Sequence, residues 1–171
     1  IEEAKATMRA HKVEKLPVMS REGKLIGLIT IKDIYSREKY VEASRDEEGL
    51  LMVAASVSPF DAQRAKALDQ HVDAIVFDVA HFDNVEAMRA ADVIADEVSA
   101  DIVVGSIGTA DGIRDALSYV RRIDGVRVGI GSGSACITAT GAKAAAPTLF
   151  AVAQGSDALR ALQLEGPVAA D

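Results

Sequence analysis

AIVFDVAHFDNVEAMRAADVIADEVSADIVVGS, running from Ala74 to Ser106, decides the fold of this chain. It opens on a short apolar run, Ala74 to Phe77, that closes on Asp78. It ends on another, Ile102 to Val104, that closes on Gly105 and Ser106. Between them Val85, Met88, Ala91, Ala95 and Val98 recur on one helical stripe. Continuously apolar strands flanking an amphipathic helix predict a parallel sheet covered by helices, because only such a strand is buried on both faces.

The same texture extends outward. Strands are predicted at Leu50 to Ser56, Gly125 to Gly129 and Pro167 to Ala170. Ser58 before Pro59, with Asp61 in the first turn, predicts a helix start. Thr109 and Asp111 open a further helix whose stripe is Ile113, Ala116, Leu117 and Val120. The pattern is α/β, and open doubly wound sheets and closed barrels share it. In both, ligands bind at the C-terminal strand edge. Three such ends carry polar or glycine residues: Asp78, Gly105-Ser106, and the loop from Gly129 to Cys136.

Residues before this region read differently. An amphipathic helix with Ala4, Met8 and His11 precedes two strands, Leu16 to Met19 and Leu25 to Thr30, joined by the turn Arg21-Glu22-Gly23-Lys24, and a second helix starts near Ile31. The charged stretch Arg37 to Glu48 marks the boundary, giving segments 1–39 and 40–171.

Composition bounds the function. A chain of 171 residues that is 49% hydrophobic buries a core sufficient for one domain or a little more. A formal charge of −7 argues against a nucleic-acid partner, which requires a clustered basic face. No apolar run approaches the roughly 20 residues of a membrane span, so no membrane partner is expected. Ile1 opens a charged, helical segment unlike a signal peptide. The single cysteine excludes an internal disulfide and fits a cytoplasmic location.

That cysteine, Cys136, lies in Gly129-Ile130-Gly131-Ser132-Gly133-Ser134-Ala135-Cys136-Ile137-Thr138, directly after a strand. A thiol in a glycine-rich loop at a strand's C-terminal end is a candidate nucleophile, and glycines there allow positive φ and close backbone approach. The thiolate is the reactive form, so N–H groups of the loop and of the following helix must favour it. The alternative is a small buried filler.

The loop GIGSGSACIT resembles the active-site loop of the inosine monophosphate dehydrogenase and guanosine monophosphate reductase family, written G-x-G-x-G-S-x-C-[IT]-T. Asp78-Val79-Ala80-His81 is similar to the family's D-T-A-H, Val104-Gly105-Ser106-Ile107-Gly108-Thr109 to its A-G-N-V-x-T, and Gly166-Pro167-Val168-Ala169-Ala170-Asp171 to its V-P-V-I-A-D-G-G. The run from Lys15-Leu16-Pro17-Val18 through Gly23 to Ile34 resembles the second half of a CBS module. The resemblance implies a partial TIM (β/α)8 barrel of about five β/α units, preceded over residues 1–39 by the C-terminal part of that module. By this analogy the chain begins inside the module, stops at the seventh strand and lacks the family's flap, so turnover by the segment alone is not expected.

In the family's dehydrogenase reaction a thiolate adds to carbon 2 of the purine, hydride passes to NAD, and water cleaves the adduct. The resemblance implies Cys136 as nucleophile and Thr138 as the residue that positions water. It implies Ser134 at the nucleotide phosphate and Asp171 at its ribose. Asp78 and Ser106 fall on the nicotinamide side, and carbonyls of Gly131, Gly133 and Cys136 match those that hold a monovalent cation, K+. It further implies a purine nucleotide substrate, an adenine nucleotide at the CBS module, and a homo-tetramer or octamer. The dehydrogenase branch is preferred because reductases of the family usually lack the module. A reductase using NADPH and a non-catalytic purine-nucleotide sensor are the alternatives.

Each assignment has a plainer counterpart: Asp78 as the cap of a helix near Asn84, Ser106 as the cap of a turn, Thr30 and Asp33 as structural residues, and His81 as a loop residue. The sequence also departs from the family pattern. Lys143 and Ala145 replace glycines after the Cys loop, Thr148 replaces a glutamine, Phe82-Asp83-Asn84 replaces G-H-S, and Ser106 replaces an asparagine.

Overall fold

The computed structural model describes residues 1–171, which divide into two compact units, Ile1–Leu51 and Met52–Asp171. The division falls after Leu51 and not after residue 39. Arg37 Nη2 and Arg45 Nη1 both donate to the Gly49 carbonyl, at 3.1 and 3.0 Å, and the Asp46 carboxylate accepts from Leu50 N–H at 2.7 Å. These bonds fasten the charged stretch to the first unit.

The first unit comprises helix α1 (Glu2–His11), strands β1 (Lys15–Met19) and β2 (Leu25–Thr30), and helix α2 (Ile31–Lys39). The two strands pair antiparallel, Lys15 opposite Thr30. Met8 and Ile34 form its buried apolar contacts, while His11 stays exposed. Thr30 caps α2 through a capping box: its hydroxyl accepts from Asp33 N–H, and the Asp33 carboxylate accepts from Thr30 N–H and Oγ1. Those two side chains therefore satisfy each other, which is the structural role weighed above.

The second unit alternates β3 (Ala54–Val57), α3 (Ala62–Leu68), β4 (Ala74–Asp78), α4 (Val85–Ala95), β5 (Asp101–Ile107), α5 (Ala110–Tyr119) and β6 (Gly125–Val128). It ends with α6 (Thr138–Gly141), α7 (Thr148–Ala161) and β7 (Val168–Ala170). All strand pairs are parallel, and the order β3-β4-β5-β6-β7 follows the chain without reversal. A doubly wound sheet reverses its order at a switch point. A monotonic order is that of a barrel wall, so the fold is α/β with five parallel strands, consistent with a partial TIM barrel.

Local differences from the sequence reading have physical reasons. The first barrel-type strand starts at Ala54, not Leu50, because Leu50 belongs to the turn closed by Asp46. Helix α3 starts at Ala62, with Asp61 accepting from Arg64 N–H as its cap. Ser58 instead closes a turn: its carbonyl accepts from Asp61 N–H at 3.0 Å, with Pro59 following it. Thr109 caps α5 as expected, accepting from Gly112 N–H at 3.1 Å.

The strand faces part cleanly. Ile75, Phe77, Ile102, Val104, Val126 and Val128 are buried on the helix-covered face, with Met88, Ala91, Ile113 and Ala116 from the expected stripes among the same core. On the other face Val76, Val103 and Arg127 are only half buried. Glycine decides one close approach: a Cβ at Gly155 would stand 3.2 Å from Val128 Cγ1 and 3.4 Å from Val168 Cγ1. α7 thereby packs directly on β6 and β7.

Candidate active site

The C-terminal edge of the sheet gathers the candidate residues. β4 ends at Asp78, β5 carries Ser106, β6 carries Arg127 and leads into the Cys136 loop, and β7 leads to Asp171, whose N–H donates to the Val128 carbonyl at 2.9 Å. The parallel register sets Asp78 beside Gly105.

Arg127 organises this edge. Its Nη1 donates to Asp78 Oδ1 and, at 3.0 Å, to Ser106 Oγ, while its Nη2 donates to Asp171 Oδ1. Ser106 Oγ donates to Asp171 Oδ2 at 3.2 Å, and Ser56 Oγ lies 3.4 Å from Asp78 Oδ2. Ser106 is 4% exposed, so its hydroxyl serves this network and caps no turn. Asp78 caps no helix either, since Asn84 Oδ1 accepts from Glu86 and Ala87 N–H at the start of α4. Gly105 makes the reach possible: a Cβ there would lie 2.6 Å from the Arg127 carbonyl oxygen and 2.7 Å from Arg127 Cβ.

The sequence reading passed over Arg127. The signal was present in Gly-Val-Arg-Val-Gly at 125–129, a lone cation inside an apolar strand. A charge at such a position requires a partner, because burying it unpaired is costly.

The Cys loop turns tightly after β6. Gly129 and Gly131 take φ of 121° and 75°, and Cys136 N–H donates to the Gly133 carbonyl at 2.9 Å. Ile130 pairs with Ala146 in both directions, closing the loop's base. Ser132 Oγ and Thr148 Oγ1 each donate to the Asp171 carbonyl at 3.0 Å, which joins the loop, α7 and the end of β7. Thr148, which stands where the resemblance has glutamine, thus does a loop-anchoring job. Ser134 is exposed in the turn before Cys136.

Cys136 is exposed and its Sγ lies 3.3 Å from Thr138 Oγ1. The Thr138 hydroxyl, and after it the Thr138 backbone N–H, hold the thiol below its ordinary value, against the opposing effects of partial burial and of the Asp171 charge. The stabilising donors come chiefly from one threonine, more than from the loop N–H groups at large. α6, a single turn, begins at that threonine. An accessible thiol biased toward thiolate is a competent nucleophile. No group of three or more His, Cys, Asp or Glu side chains converges to hold a metal ion, and no helix is long and apolar enough to cross a membrane.

Residues 3–171 match the model of the IMP dehydrogenase / GMP reductase domain family. The chain belongs to that family. It is 48% identical over 170 residues to an inosine-5'-monophosphate dehydrogenase of Korarchaeum cryptofilum, covering 99% of this chain and 36% of the relative. A dehydrogenase of the same name from Thermoplasma acidophilum is 43% identical over 173 residues, covering 100% of this chain and 35% of its own length. The chain thus spans about a third of the length of these curated relatives. Among solved structures, a GMP reductase from Trypanosoma brucei superimposes with a TM-score of 0.68 at 28% identity, covering 98% of this chain and 37% of that one.

Proposed function

We propose that this chain is the part of an NAD-dependent inosine monophosphate dehydrogenase that carries the nucleophile, converting inosine monophosphate to xanthosine monophosphate through a covalent adduct at Cys136. The observation that carries the reading is the exposed Cys136 thiol, paired with Thr138 at the C-terminal edge of the parallel sheet. Membership of the family and the dehydrogenase relatives support it.

In this reading the Cys136 thiolate attacks carbon 2 of the purine. The Thr138 hydroxyl, which stabilises the thiolate before attack, stands beside the same sulfur to orient the water that later cleaves the adduct. NAD, when bound, supplies the acceptor for the hydride released from carbon 2. Asp171 accepts the ribose hydroxyls; Arg127 donates to one oxygen of its carboxylate and Ser106 to the other, and each oxygen keeps acceptor capacity for a further donor. Ser134, exposed in the turn, donates to the phosphate. Asp78 and Ser106 take the nicotinamide side.

The carbonyls of Gly131, Gly133 and Cys136 are neutral oxygen donors of one loop, a donor type suited to a singly charged hard cation such as K+, and that of Gly133 also accepts from Cys136 N–H. The cation's role would be to hold the loop. From the resemblance we extend the proposal to residues 1–39 as the end of a CBS module that takes an adenine nucleotide, to a tetramer or octamer, and to the cytoplasm.

The likeness to GMP reductase structures supports a second reading, deamination of guanosine monophosphate with NADPH. One pair of assays on the complete natural chain, in potassium buffer, separates the two. Reduced nicotinamide formed from inosine monophosphate and NAD is the expected result. Oxidation of NADPH by guanosine monophosphate would replace it with the reductase. Nucleotide binding with silence in both assays would leave a sensor.

A further inference from the structure

We infer that Arg127 is a positioning residue that couples the two halves of the site, so that occupancy on the Asp171 side tightens binding on the Asp78 side, and the reverse. The inference rests on the functional reading above, which puts purine nucleotide at Asp171 and dinucleotide at Asp78. One guanidinium serves both carboxylates: Nη1 is given to Asp78 and Ser106, and Nη2 to Asp171. Its planar, rigid fork means that neither end turns without moving the other. Ser106 Oγ closes the triangle by donating to Asp171 Oδ2.

The lane between the carboxylates is kept open by Gly105. Its missing side chain lets Arg127 lie across β5, where a Cβ would meet the arginine backbone at 2.6 Å. The Arg127 and Asp171 side chains retain only 24% and 28% exposure, so solvent competes weakly for these bonds. Asp78 is the looser end at 41%. A ligand that orders either carboxylate thereby orders the shared arginine, and the second ligand meets an acceptor already held in place. Coupling of this kind is reciprocal by thermodynamic necessity.

The test measures binding of inosine monophosphate to the complete natural chain with no dinucleotide present, beside its 2',3'-dideoxy analogue. Asp78→Asn keeps the shape of an exposed side chain and removes the charge that holds Nη1. It is expected to weaken inosine monophosphate roughly five- to tenfold, although Asp78 lies on the far side, and to leave the dideoxy analogue nearly unchanged. Arg127→Lys keeps the charge but loses the fork and should weaken inosine monophosphate by a similar factor while again sparing the dideoxy analogue. Wild-type binding of inosine monophosphate that Asp78→Asn leaves intact would overturn the coupling alone. Wild-type protein that does not bind the nucleotide would overturn the functional reading and the coupling with it.

Discussion

The two ends of the parallel sheet use the same residue type for opposite purposes. At the N-terminal end, aspartates close the structure on itself. Asp69 accepts from Ser99 and Ala100 N–H at 2.7 and 2.8 Å, Asp73 accepts from Val53 N–H, and Asp124 accepts from Ile102 N–H at 2.8 Å. Each carboxylate finds backbone donors, and its energy goes into fixing where a strand begins. At the C-terminal end, Asp78 and Asp171 receive no such backbone caps and share one arginine. Their spare acceptor capacity is what a ligand needs. The difference follows barrel logic, in which one end is built for stability and the other for chemistry.

Cys136→Ser gives the sharpest contrast. In the complete protein it should lower turnover by at least about 10³-fold while leaving nucleotide affinity within a few fold, because the thiol acts in bond formation more than in ground-state binding. Melting temperature should not move, since the side chain is exposed. Steady-state kinetics beside a thermal melt checks both halves, and undiminished turnover would sink the covalent mechanism.

Gly105→Ala should blur the contrast by damaging both properties. The added methyl meets Arg127 backbone and Cβ atoms closer than any real packing allows. Overpacking of this kind costs about 1–3 kcal/mol. The displaced arginine should also weaken purine nucleotide binding. A melt and a nucleotide titration on the same variant read the two effects, and an unchanged melt would show that β6 yields more easily than its surroundings imply.

Asp69→Asn tests the N-terminal end and should lower stability by less, a few degrees in the melt, with turnover unaffected. The backbone N–H of Ala100 first, then those of Ser99 with its hydroxyl, hold the Asp69 carboxyl below its usual value of 3.8. A depressed carboxylate contributes stability that is present above its unfolded-state value and is lost as pH falls through its folded value. The difference between wild type and variant should therefore be full at neutral pH and close below about pH 4. A difference that persisted in acid would mean packing, not charge, at this corner.

This division explains what the sequence could disclose. Strand runs such as Ile102 to Val104 and the stripe through Met88, Ala91 and Ala95 announced themselves because burial on one face imposes a period that one segment reveals alone. The family pattern carried Cys136, Thr138 and Asp171 to one edge. Period alone could not choose barrel from open sheet; the unreversed strand order does, and it is a property of five segments together. Arg127 was missed for a related reason. Its role depends on a register that sets Gly105 between it and Asp78, and on β7 delivering Asp171 from the far end of the chain. Pairwise meaning of that sort is invisible to a window. Ser58 was misjudged by a smaller margin: Ser-Pro suits both a helix start and a turn, and the cap went to Asp61.

The smallest expected effect concerns how the reactive end sets the state of its thiol, and it separates two forces. Thr138→Val keeps the branched shape and removes the hydroxyl that chiefly lowers the Cys136 thiol; the backbone N–H remains. The midpoint for alkylation by iodoacetamide should move to higher pH. Asp171→Asn removes a charge that opposes the thiolate, so its midpoint should move to lower pH. Salt distinguishes the two causes. The Asp171 effect acts through space at an exposed sulfur and should fade as ionic strength shortens the Debye length, whereas a hydrogen bond from Thr138 is a contact that salt does not screen. Alkylation rates of wild type and both variants across pH, at fixed potassium and at low and high tetramethylammonium chloride, give six midpoints. An Asp171→Asn shift that survives high salt would mean that Asp171 acts on the sulfur through the bonds its carboxylate takes from Arg127 and Ser106, which fix the strand end where Ser132 and Thr148 are anchored, and not through its charge.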